Sequence, residues 1–187
     1  MQEKENILRI LKEAREAVKN EDSNTLKNLS NQTIHSAFIY RDTDNIAVAV
    51  FVYALSKIIE RKAYAKYRNW PKFFNNFMLC INRAITALEK NQDDYFREQL
   101  KCVRREINQL SGNLKKDIQD VFKKAEINKA SKIYEHGLSM EQTAKLLGIS
   151  IWDLAEYAGQ SGAADINLSI TLPVKIRIKN AMEIFEK

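Results

Sequence analysis

The chain has 187 residues, with 30 Lys+Arg against 24 Asp+Glu, a formal charge of +6 and a pI of about 9.2. Its 5 Gly and 2 Pro fall well below ordinary usage and exclude collagenous, low-complexity and turn-dense all-β chains, while 45% hydrophobic and 29% charged residues supply a packed core and exclude a disordered chain. One domain, or one domain with a small appendage, is expected at this length.

In chain order, Ile7, Leu11, Ala14 and Val18 fall on one face of a first surface helix. The cluster Glu21-Asp22-Ser23-Asn24 is rich in N-cap residues, and Leu26, Leu29, Thr33 and Ala37 continue a second helical pattern. Asp42-Thr43-Asp44 offers the next cap. The stretch that follows, Ile46–Leu55, is apolar on every side, and helical spacing continues through Ile58 and Ile59, so one helix is expected from Ile46 to Arg68 at the centre of a bundle. Trp70-Pro71 marks a break, because proline restricts the residue before it and suits the first turn of a new helix. Further helices are expected over about 72–90, 95–110 and 113–136, the last stopped by Gly137.

No secretory leader is read in the polar run Gln2–Asn6, and the longest apolar stretch is about half of what a membrane span takes. Cys80 and Cys102 lack CxxC spacing, so reduced thiols and a cytoplasmic setting are expected.

The charge is concentrated. Residues 1–60 hold 8 cations and 9 acids, residues 61–124 hold 15 and 7, and residues 125–187 hold 7 and 8, so the middle third carries +8 against −1 on either side. It opens with Arg61, Lys62, Lys66, Arg68 and Lys72 among Tyr64, Tyr67, Trp70, Phe73 and Phe74. Cations interleaved with aromatics can neutralise phosphates and stack on unpaired bases. The same aromatics also recur at the spacing of a core stripe, continuing to Phe77 and Ile81. Further along, Lys101, Arg104 and Arg105 share a helix face, and Lys116, Lys123 and Lys124 complete a set of candidate phosphate contacts.

Beyond residue 136 the pattern changes. Ser139 reads as a cap, Ala144 as the small residue where two helices cross, and Leu147, Gly148 and Ile149 as the turn between them, with Leu154 as the inner residue of a second helix. The segment Gly137–Leu154 resembles the helix-turn-helix of small prokaryotic antitoxins and regulators, a group often found beside nuclease toxins, over residues 137–158. The resemblance implies a DNA-binding or partner-binding regulator. The positions that would read bases are Ser150, Ile151, Trp152, Asp153 and Glu156, which bring no cation and two acids. Ile151 and Trp152 suit a protein contact instead.

From Ile166 the residues Leu168, Ile170 and Leu172 alternate with polar ones, a strand pattern that Pro173 ends, before a short amphipathic helix. Such a strand could pair with a partner or a second copy, or fold back as a rudimentary wing.

Catalytic chemistry is thinly supplied. His35 and His136 have no second ligand at metal spacing, no phosphate loop or nucleophile elbow is present, and no arginine precedes either histidine as the helical HEPN ribonucleases would require. The expectation is therefore an all-α, non-enzymatic protein without cofactor or metal. It comprises a multi-helix bundle over 1–124, the end of a long helix with a helix-turn-helix over 125–162, and an extended tail with a terminal helix over 163–187. It would serve as a helix-turn-helix regulator or antitoxin-like adaptor with a nucleic-acid, protein or self partner, or alternatively as an RNA-associated binding protein using the basic middle helices.

Overall fold

A computed structural model describes residues 3–40, 43–135, 139–147, 150–152 and 154–156. The tail, with Leu168, Ile170 and Leu172, and the turn residues Gly148 and Ile149 lie outside the described residues, as do His136, Gly137 and Asp153. The protein is all-α. Its helices are α1 (Lys4–Lys19), α2 (Ser23–Tyr40), α3 (Thr43–Arg61), α4 (Trp70–Glu89), α5 (Asp93–Gln109), α6 (Gly112–Glu135) and α7 (Met140–Leu147), with a 3-10 turn at Ala63–Lys66. Residues 151–152 and 154–156 are helical as well. No described helix is long and apolar enough to cross a membrane.

The sequence dictates much of this locally. On α1, Ile7, Leu11, Ala14 and Val18 are all buried. Its exit is a left-handed Glu21 (φ 53°), after which the Asp22 carboxylate accepts the backbone N–H groups of Asn24 and Thr25 at 3.1 and 3.0 Å and so caps α2. The α3 helix, apolar on all sides, occupies the centre and packs against α1, α2 and α6. The Ser30 hydroxyl donates to the Ala49 carbonyl at 2.7 Å, so α2 meets α3 without leaving a buried hydroxyl unpaired. Pro71 stands in the first turn of α4, where its missing N–H costs nothing.

Two expectations fail. The central helix does not reach Arg68. It stops at Arg61, and Lys62 takes a left-handed conformation (φ 49°). Ala63 and Tyr67 would continue the spacing of Ile59, but the reversal at Lys62 instead carries Tyr64 into the core, where its ring meets Trp70 at 5.6 Å. The thiols are also not separate: Cys80 and Cys102 form a disulfide between α4 and α5. The two helices form an antiparallel hairpin around the left-handed Asn91 (φ 58°), with Cys80 and Cys102 equally far from the turn, so their Cα atoms stand 6.0 Å apart. Such a separation suits a disulfide. The cysteines therefore no longer argue for a reducing compartment.

Two hydrophobic clusters share α6. The main core gathers residues from α1 to α6, including Phe77, Phe96, Leu88 and Ile118. A smaller cluster joins Ala130 of α6 to Ala144 of α7 and Leu154, with Met140 packed on it. Ser139 caps α7 by accepting the Gln142 N–H at 3.2 Å, and the Leu154 N–H bonds the Ser150 carbonyl at 3.3 Å, which opens the next helical turn.

Candidate nucleic-acid interface

The aromatics that accompany the first cations are used by the core. Tyr64 and Phe73 are buried, Trp70 stacks on Phe74 at 5.1 Å, and Phe73 meets Phe77 at 5.9 Å. The Tyr67 hydroxyl donates to Asp117 at 2.7 Å, and that carboxylate pushes the phenol above its usual range. Of the two readings of this stretch, the packed stripe describes the rings. The cations between them project outward: Arg61, Lys62, Lys66, Arg68 and Lys72 are all exposed. Lys62 pairs with Glu21, and Lys66 lies 5.3 Å from the centre of the Tyr67 ring.

The bond from Tyr67 to Asp117 brings this turn beside the start of α6, where Lys116 is exposed. Along α6, Lys116, Asp120, Lys123 and Lys124 recur at helical spacing and form one outward strip, about 12 Å from first to last at 1.5 Å per residue. Lys124 pairs with Asp120 at 2.8 Å. Two cavities flank this strip and share Asp120, Lys123 and Ile127. One, between α3 and α6, measures about 480 Å³ and brings Arg61, Lys123 and Lys124 together with Lys57. The other, on the α5 side, adds Arg104 and reaches Ser150. Arg61, Lys123 and Lys124 thus line one cavity and Arg104 and Lys123 the other, so that Lys123 borders both sides of this groove. Lys101 and Arg105 point elsewhere on α5: both reach Glu98, at 2.8 and 3.9 Å, while Arg104 approaches Glu126 across to α6 at 4.0 Å.

Acids temper the groove: Asp120 lines both cavities, Glu156 the first and Glu126 the second, and Glu60 holds Lys57 from outside them. Hydrogen bonds from Lys57, then Lys27, hold the Glu60 carboxyl down at about 2, so it is ionised at any ordinary pH. Glu126 is pushed up by burial, against the pull of Arg104. Arg61 has no ion-pair partner among the described residues.

Two functional candidates are not evident from charge runs alone. Lys57 stands four residues before Arg61, a spacing that puts both on one helix face and could have flagged it. Lys129 is fully buried, donates to Asn31 at 3.0 Å and lies 4.2 Å from the centre of the Tyr53 ring. Burial, aided by Lys132, lowers its ammonium to about 7. The signal for it was periodicity: Ile118, Phe122, Ala125 and Ile133 form the buried stripe of α6, and Lys129 occupies the same stripe.

On the other side of the smaller cluster, Trp152 is 83% exposed and Ile151 44%, while Leu154 next to them is buried. Comparisons of the chain with protein-family models, with curated proteins and with solved structures find no match.

Proposed function

We propose that the protein is a non-enzymatic adaptor of the helix-turn-helix regulator type. In this reading the bundle holds a nucleic-acid backbone along the groove between α3, α5 and α6, while the helix beginning at Ile151 engages a protein partner or a second copy. The observation that carries the reading is the position of Trp152: an indole 83% exposed beside an exposed isoleucine, on a helix anchored from behind by Leu154. An exposed apolar pair of this kind loses nothing structurally when covered and gains apolar burial.

An RNA-associated role is the second reading. It is favoured by one specific feature, that the cations sit on α3, α5 and α6 and not on the helix a DNA reader would insert. One comparison tests both. Trp152→Ala should abolish self-association or partner capture while leaving oligonucleotide affinity within about twofold. Selectivity for structured RNA over duplex DNA that survives Trp152→Ala, with no change in assembly, would replace the regulator by the RNA-associated protein.

A further inference from the structure

The cavity between α3 and α6 is more than a stretch of surface charge. Part of its lining is apolar or aromatic, from Tyr53, Val121 and Ile127, the Tyr53 ring also meeting Lys129 at 4.2 Å, while its cations come from two helices, Lys57 and Arg61 on α3 and Lys123 and Lys124 on α6, with Asp120 paired to Lys124 at 2.8 Å. A volume of about 480 Å³ lies within the range of small-molecule sites, about 300–1,000 Å³, and leaves room for an organic group beside an anion. The carboxylate of Glu156, from the helical residues after α7, lines the same space. Glu156 and Asp120 are the two acids among the residues that line this space, and each opposes an anion there.

We propose that this cavity binds a nucleotide. Its phosphate is held by Arg61 with Lys123 and Lys124, displacing Asp120 from Lys124, its base rests against Tyr53, Val121 and Ile127, and the nearby Glu156 carboxylate opposes the phosphate's charge. Arg61 suits the role because its guanidinium offers a planar fork of donors matched to phosphate oxygens. The base needs no specific hydrogen bond to gain from an apolar wall, since every base has a stacking face. The proposal rests on the nucleic-acid reading above in that a strand's end nucleotide is one source of the ligand. A free mononucleotide is the other.

Calorimetric titration of the full chain with adenosine 5′-monophosphate, adenosine and inorganic phosphate, separately, tests the site. The monophosphate should bind at least about tenfold more tightly than either fragment, because each fragment uses only half of the cavity. Arg61→Ala and Lys124→Ala should each weaken it about tenfold, Glu156→Gln should strengthen it, and Lys19→Ala on α1 should leave it unchanged. Far-ultraviolet circular dichroism of each variant confirms that the helices persist. A parallel measurement compares single strands of the same sequence with a 5′-phosphate or a 5′-hydroxyl. Preference for the phosphorylated end identifies the strand as the source, and its absence alongside monophosphate binding identifies the free nucleotide. Equal affinity for the monophosphate and inorganic phosphate, indifference to Arg61→Ala, or weaker binding by Glu156→Gln would overturn the proposal. Strands that bind well while the monophosphate does not would overturn it and leave the adaptor reading standing. Monophosphate binding without strand binding would do the reverse.

Discussion

The bundle and the segment around α7 solve the problem of stability on different scales. The bundle buries large side chains from six helices around α3 and sends its cations outward. The segment from Ser139 to Glu156 relies on Ala144, Leu154 and a half-buried Met140 against one alanine of α6, and exposes its largest side chain, Trp152. Between the two, α6 is the main physical link. Its first half bears Lys116, Lys123 and Lys124, and its second half anchors α7 through Ala130.

Emptying each core in turn separates the two regions by the largest margin. Phe77→Ala removes a ring that is 1% exposed and packs against Phe73 and Phe122, and should lower global stability by about 3–5 kcal/mol in urea unfolding. Leu154→Ala should instead raise amide exchange over 139–156 and leave the bundle's unfolding midpoint nearly unmoved. A global loss from Leu154→Ala equal to that from Phe77→Ala would mean one cooperative unit. Next in size, reducing the Cys80–Cys102 disulfide opens a loop of sequence separation 22 and should cost about 2–4 kcal/mol, read as a lower unfolding midpoint with dithiothreitol than without.

Lys129 gives a test by pH. Its folded value of about 7 lies below the 10.5 of an ordinary lysine, so between these limits the unfolded chain binds more protons than the folded one. Stability should therefore rise as pH is raised from about 7 towards 10.5, while below 7 the cost of the buried charge is present in full. The Tyr53 ring and the Asn31 side-chain amide oxygen offset part of that cost by favouring the ammonium. Lys129→Met should flatten the alkaline rise in the urea midpoint. A rise equally steep in the variant would show that another group controls it.

Helix order was legible because its signals are local. The α1 stripe, the Asp22 cap, the all-apolar opening of α3 and Pro71 each depend on a few consecutive residues, and each stands where its chemistry requires. What escaped depends on contacts distant in sequence. Helical propensity alone cannot show that Tyr64 has a place waiting beside Trp70, and so cannot end α3 at Arg61. The disulfide follows from the α4–α5 hairpin: Cys80 and Cys102 lie equally far from Asn91, a symmetry that has meaning only once the two helices pack side by side. The same holds for the candidate interface. The excess charge of residues 61–124 is plain in the sequence, but the grouping of Arg61 with Lys123 and Lys124, and the separation of Lys101 and Arg105 from them, are products of packing.

Whether phosphate contact belongs to the bundle and apolar contact to the helix of Trp152 is decided by the salt dependence of oligonucleotide affinity. Fluorescence anisotropy of a labelled single strand, measured across a salt series, compares the unaltered chain with Lys123→Ala/Lys124→Ala and with Trp152→Ala. Each lysine that ceases to neutralise a phosphate reduces the slope of log affinity against log salt by about 0.7, so the double variant should fall by about 1.4 and Trp152→Ala should not change it. An unchanged slope in the double variant, or a drop on Trp152→Ala, would refute this division of roles.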